Sequence, residues 1–188
     1  MQQSLTVWLV LWVSPTLPAV FGFPLNERFG ELQSPGFPTA YGDNIYLTWN
    51  ISVPSGFVIK LYFSHFSLEP SYRCEYDHIK ILMNGKRLAK LCGETSTDTE
   101  EAPGNKRFYS KGNNMTVIFR TDYSNEKNYT GFAAHYAAVD IDECDQTAFE
   151  EPSCDHYCHN YLGGYYCSCK PGYFLDSDNR ICRVLRKA

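Results

Sequence analysis

Short runs of alternating apolar and polar residues fill the chain from Phe29 to about Tyr136. Ile59-Lys60-Leu61-Tyr62-Phe63 alternates with a period of two, so Ile59, Leu61 and Phe63 share one face of a predicted strand. His78–Met83 and Lys86–Leu91 flank Asn84-Gly85, the dipeptide that supplies positive φ for a type I′ hairpin turn. Met115–Arg120 is a further strand after the turn-forming Lys111-Gly112-Asn113-Asn114, and Gly131–Ala137 is the last. No helical period persists for about a dozen residues. Strands joined by Gly and Pro turns, without alternating helices, predict an all-β fold whose first part is an antiparallel sandwich.

The pattern changes after residue 139. Six of the eight cysteines fall between Cys144 and Cys182, whereas Cys74 and Cys92 stand alone in the first part. The stretch from Asp140 to Cys182 is too short and polar for an independent core; three disulfides, each worth about 2–4 kcal/mol, can replace one. An even cysteine count in a secreted chain reads as disulfides. Six cysteines allow fifteen pairings, so spacing leaves the connectivity open. The alternative is zinc, held among Cys154, His156, Cys158, His159, Cys167 and Cys169. An oxidising compartment would consume those thiolates.

Composition and charge narrow the classes. The 188 residues carry a formal charge of −4, with 44% hydrophobic and 20% charged positions, enough apolar material for a core and against wholesale disorder. A pI of about 5.7 argues against a nucleic-acid binder. Residues 23–139 hold 12 acids and 12 bases, whereas residues 140–182 hold nine acids against Lys170 and Arg180. Residues 183–188 add three positive charges and no fold signal. This division implies two modules and a short basic tail. Leu5–Val13, followed by Pro15 and Pro18, has the form of a secretory signal with cleavage near Ala19 or Gly22, so residues 1–22 are set outside the fold. No apolar run reaches the ~18 residues of a membrane-spanning helix. Asn50-Ile-Ser, Asn114-Met-Thr and Asn128-Tyr-Thr are N-glycosylation sequons and fit a secreted, extracellular chain.

Asp140-Ile141-Asp142-Glu143-Cys144, then Cys154-x3-Cys158, Cys158-x-Asn160-x4-Tyr165-x-Cys167-x-Cys169 and Cys182, resemble a calcium-binding EGF-like module over residues 139–182. The resemblance implies the pairs Cys144–Cys158, Cys154–Cys167 and Cys169–Cys182. It implies calcium on the side chains of Asp140, Glu143 and Asn160 and the carbonyls of Ile141, Tyr161 and Gly164, oxygen ligands that suit a hard cation. The same pattern marks Asn160 for β-hydroxylation. Gly30-Glu-Leu-Gln-Ser-Pro-Gly-Phe-Pro, Leu61-Tyr-Phe, Cys74-Glu-Tyr-Asp77, Leu91-Cys92-Gly93 and Phe119-Arg-Thr-Asp122 resemble a CUB domain, here residues 23–138 with a Cys74–Cys92 pair. Asn128-Tyr-Thr-Gly-Phe-Ala-Ala-His-Tyr fits it too.

A CUB domain followed by a calcium-binding EGF module is similar to the N-terminal end of the mannan-binding-lectin-associated serine proteases. Their relatives in the first complement component share the arrangement. Ser96–Glu100 and Asp122–Glu126 are especially similar to the lectin-pathway members. The resemblance implies a second calcium, on Glu69, Asp77 and Asp122 with oxygens from Ser124 and Asn125, giving two sites per chain. It implies that Glu69 and Asp122, helped by Ser124, accept a lysine ammonium from the collagen-like stalk of mannan-binding lectin or a ficolin. Tyr76, Glu100 and Tyr123 would stand nearby. A calcium-dependent homodimer, pairing the CUB domain of one chain with the EGF module of its neighbour, belongs to the same expectation.

Catalysis is not expected. The sequence contains no Gly-Asp-Ser-Gly-Gly segment, and its five histidines have no triad context. After Cys182 the chain ends in Arg183-Val-Leu-Arg-Lys-Ala, which resembles the family's short non-catalytic product, able to compete with the protease for lectins. A truncated gene model would give the same tail. Two alternatives stay open: an N-terminal fragment of a complement-activating protease, and an unrelated CUB–EGF protein of matrix or receptor.

Overall fold

The structure, a computed structural model, describes residues 21–145 and 154–185. Nine strands build the first part: β1 (Phe21–Leu25), β2 (Phe29–Gln33), β3 (Tyr46–Ser52), β4 (Phe57–Ser67), β5 (His78–Met83), β6 (Lys86–Leu91), β7 (Arg107–Tyr109), β8 (Asn114–Arg120) and β9 (Gly131–Asp140). They form a five-stranded sheet in the order β1-β3-β8-β5-β6 and a four-stranded sheet in the order β2-β9-β4-β7. Neighbours are antiparallel except β1, which runs parallel to β3. Among the described residues the one helical element is the 3-10 turn Tyr72–Cys74.

Alternation dictates the packing. On β8, Met115, Val117 and Phe119 point inward, while Asn114 and Arg120 stay exposed. On β4, Phe57, Ile59, Leu61 and Phe63 do the same from the opposing sheet. The two inner faces meet in one core, where Phe119 and Phe132 pack edge to face at 5.4 Å. Asn84 and Gly85 take φ of 48° and 73°, the mirror-image turn that lets β5 return directly as β6.

Three expected boundaries shift. Phe21 and Gly22 lie in β1, opposite Leu47 and Thr48, so the described sheet includes two residues set outside the expected limit; the signal reading otherwise falls outside the described residues. β9 continues to Asp140, past the expected division at 138, because Val139 and Asp140 still pair with Val58 and Phe57. Arg183 and Val184, expected in a structureless tail, form β13 (Cys182–Val184) against β12 (Tyr173–Leu175), and Arg183 pairs with Asp176.

The second part holds two hairpins, β10 (Tyr157–Tyr161) with β11 (Gly164–Ser168) and β12 with β13. Its disulfides are Cys144–Cys158, Cys154–Cys167 and Cys169–Cys182, and the sandwich carries Cys74–Cys92. Strand β9 carries the chain into this part, where the Ile141 N–H donates to the Gly56 carbonyl at 3.0 Å. The backbones of Gly56 and Gly163 pass so close that a Cβ on Gly56 would overlap the Gly163 carbonyl.

A carboxylate cluster as candidate cation site

Three separate segments deliver carboxylates to one end of the sandwich. Glu69 follows β4, Asp77 precedes β5 and Asp122 follows β8. Strands β5 and β8 are neighbours, with His78 opposite Arg120, so the residues just beyond that pair meet. One carboxylate oxygen from each of Glu69, Asp77 and Asp122 lies within 4.8 Å of the others. Like charges this close repel, and the cluster needs either protons or a cation.

Asp77 is the anchor. It is fully buried, accepting the Tyr41 hydroxyl at 2.5 Å and the Asp122 N–H at 2.8 Å. The Tyr41 oxygen in turn accepts the Glu69 N–H at 3.0 Å, so one tyrosine ties two of the three acids together. Burial pushes the Asp77 carboxyl upward, against the pull of these hydrogen bonds. Burial, then the charges of Asp77 and Asp122, push Glu69 upward as well. Burial first and Asp77 second hold Tyr41 protonated, as a fixed donor. Glu69 Oε2 is buried without a hydrogen-bond partner, which is what an oxygen meant for a cation presents. Hard oxygens, convergent charge and one orphaned acceptor fit calcium.

The surrounding loop contributes unevenly. The Ser124 N–H donates to Asp122 Oδ1 at 2.9 Å and fixes that carboxylate. Asn125, expected as a ligand, spends its side chain on the loop itself. Its amide donates to the Tyr41 and Tyr129 carbonyls, both at 3.0 Å, and its Oδ1 accepts the Tyr129 N–H at 2.8 Å. The main-chain oxygen of Asn125 likewise accepts the Asn128 N–H, at 3.1 Å. Tyr123 is 79% exposed and Tyr76 55%, so neither is a core residue. Glu100 accepts the Thr97 hydroxyl at 2.9 Å and lines a cleft of about 830 Å³ with Arg73, Lys90 and Asp98. Tyr41 escaped the sequence reading because no local pattern distinguishes it from the other tyrosines; only the fold brings it under Asp77 and Glu69.

The second expected site sits where the sandwich enters the EGF-like part. Asp140 accepts the Gly163 N–H at 2.6 Å and the Asn160 amide at 3.1 Å. Tyr161 and Gly164 face each other at the end of the same hairpin, so the structure gathers Asp140, Ile141, Asn160, Tyr161 and Gly164 around one junction. Glu143 lies in the turn before Cys144. Asn160 is exposed, as a modification there requires, and so are Asn50, Asn114 and Asn128. The zinc alternative fails on oxidation: every cysteine it needs is in a disulfide, including Cys169 and Cys182 beside His156.

The CUB domain family model matches residues 22–136, and the calcium-binding EGF domain model matches residues 140–182. The chain is 53% identical over 182 residues to Mannan-binding lectin serine protease 1 of Rattus norvegicus, across 97% of this chain and 26% of the relative. It thus spans about a quarter of that protein's length. The solved CUB1-EGF-CUB2 domains of rat MASP-1 superpose with a TM-score of 0.83 at 55% identity, over 88% of this chain and 59% of theirs. The MASP-1 CUB2 domain solved bound to Ca2+ is 26% identical, with a TM-score of 0.52, over 61% of this chain and 96% of its own.

Proposed function

Because the chain belongs to the CUB domain family and joins that domain to a calcium-binding EGF domain, we propose that it is a secreted binding module of the lectin complement pathway, acting without catalysis. The observation that carries this reading is the convergence of Glu69, Asp77 and Asp122 with an orphaned Glu69 oxygen, beside the exposed ring of Tyr123. Calcium supplies the positive charge that lets three carboxylates share this end of the sandwich. Asp77, held by Tyr41 and the Asp122 N–H, keeps the loop and the other two acids in place. The outer oxygens of Glu69 and Asp122 then accept a lysine ammonium in charge-assisted hydrogen bonds. Tyr123 and Tyr76 flank the lysine stem.

The partner of that chemistry is the collagen-like stalk of mannan-binding lectin or a ficolin. Mannan-binding lectin serine protease 1, which is 53% identical to this chain, carries the lectin in its name. A module that occupies the stalk lysine displaces a protease needing the same residue. The test is immobilised lectin titrated with the chain in calcium and then challenged with full-length protease. Binding should disappear in chelator and weaken with salt. Asp122→Ala, which removes a cation ligand and an ammonium acceptor together, should lower affinity at least tenfold. Undiminished protease loading at saturating module rejects the competitor role. Absence of lectin binding favours a matrix or receptor CUB–EGF protein instead. Sedimentation in calcium and in chelator tests the homodimer, and a monomer in both rejects it.

A further inference from the structure

The outer face of the five-stranded sheet carries positive charge that the lectin-binding reading does not use. Lys80 on β5 lies directly opposite Lys90 on β6, an arrangement that destabilises a sheet. Arg120 on β8 belongs to the next row of the same face, opposite His78. Arg87 joins them through an irregularity. The β5–β6 register shifts between Ile81 and Leu82, so Arg87 falls opposite Leu82 rather than behind the sheet. Lys90 and Arg87, three residues apart, would otherwise point to opposite faces. Among the described residues none of the four cations joins an ion pair, although Lys90 Nζ donates to the Arg73 carbonyl at 3.1 Å and Glu75, Asp98, Glu100 and Glu101 line the cleft beside Arg87 and Lys90. Lys90 feels the crowding: burial, then Lys80 and Arg87, lower its affinity for a proton.

Edge protection does not explain the cluster. Lysines on an edge strand discourage strand addition, and β6 is an edge. Arg120, however, stands on the central strand and Lys80 on the one beside it. The cluster runs diagonally over three strands spaced about 4.8 Å apart, the reach of a linear polyanion laid across the sheet. Tyr46, opposite Arg120 and 44% exposed, adds one ring that can lie against a sugar. A single-stranded nucleic acid would need successive aromatic platforms. The sequon residue Asn114 lies toward the other end of this face, and Asn50 lies in the row of Arg87 with Thr116 and Leu82 between them, so Lys80, Lys90 and Arg120 sit nearer the opposite end.

We propose that Lys80, Arg87, Lys90 and Arg120 form a docking surface for a sulfated polysaccharide chain. The inference does not rest on the lectin reading, and its surface borders the carboxylate cluster at Arg120 and the Glu100 cleft at Lys90. The full chain, saturated with calcium, is passed over immobilised heparin and over desulfated heparin at near-physiological salt. Binding is expected to the first and not to the second. The triple variant Lys80→Ser/Lys90→Ser/Arg120→Ser should bind heparin about tenfold more weakly or less. A charge-matched control on the other sheet and its turn, Lys60→Ser/Arg107→Ser/Lys111→Ser, should stay within about twofold of the parent. Removing the Lys80–Lys90 repulsion should leave the melting temperature equal or higher, which guards against misfolding as the cause. Equal losses in both triple variants, no heparin binding by the parent, or equal capture by duplex DNA or phosphatidylserine vesicles would overturn the proposal.

Discussion

Tyr41 is the residue on which the carboxylate cluster turns. Its hydroxyl donates to Asp77 and accepts from the Glu69 N–H, so Tyr41→Phe leaves a buried carboxylate short of a donor and a half-buried N–H without a partner. The expected loss is about 2 kcal/mol of stability, measured by urea denaturation, and weaker calcium binding by titration calorimetry. An unchanged calcium affinity would make Tyr41 a packing residue only. His78 offers a test by pH. Burial lowers its pKa to about 4 in the fold, against about 6.5 in an unfolded chain. The unfolded state therefore binds the extra proton first, so this contribution is full above pH ~6.5 and is lost as pH falls toward 4. In chelator, the parent should lose roughly 2 kcal/mol more than His78→Gln between pH 7 and 5. Parallel curves for the two chains would show that the imidazole titrates normally.

Elements governed by local pattern were legible before the fold was seen. The β5–β6 hairpin is bounded as Asn84-Gly85 and its flanking runs require, and β8 begins one residue before its predicted start. Strands β1, β2, β3 and β7 were not legible, because their residues acquire a face only when a distant strand covers them. Tyr46–Ser52 pairs with β8 some seventy positions on, which no window of ten residues contains. The same limit hid the meeting of Glu69, Asp77 and Asp122; only family resemblance grouped them. The junction between the parts was equally hidden, since it rests on two glycine backbones. Gly56 has φ of 85° and no room for a Cβ against Gly163. Gly56→Ala should open this contact while leaving both disulfide sets intact. Amide exchange at Ile141, whose N–H now reaches Gly56, should quicken about tenfold or more. Protection equal to the parent would mean that the glycines do not hold the junction.

At the scale of the whole molecule, β9 is the beam between the two candidate calcium sites. It starts at Gly131, just after the Asn125–Tyr129 loop that encloses the carboxylate cluster, and ends at Asp140, which reaches Asn160 and Gly163. Ten residues at about 3.3 Å each separate the sites by roughly 30 Å. Groups that far apart, sharing no ligand, should act independently. Asp122→Ala is expected to abolish chelator-sensitive lectin binding and leave Ile141 protected in calcium. Asp140→Ala should reverse this, releasing Ile141 while the cluster still binds calcium. Unfolding free energies of the parent, the two single variants and the double variant form a cycle. In calcium the two losses should add within about 0.5 kcal/mol. A coupling above that would mean that β9 transmits strain between the sites and that the EGF-like part tunes the carboxylate cluster.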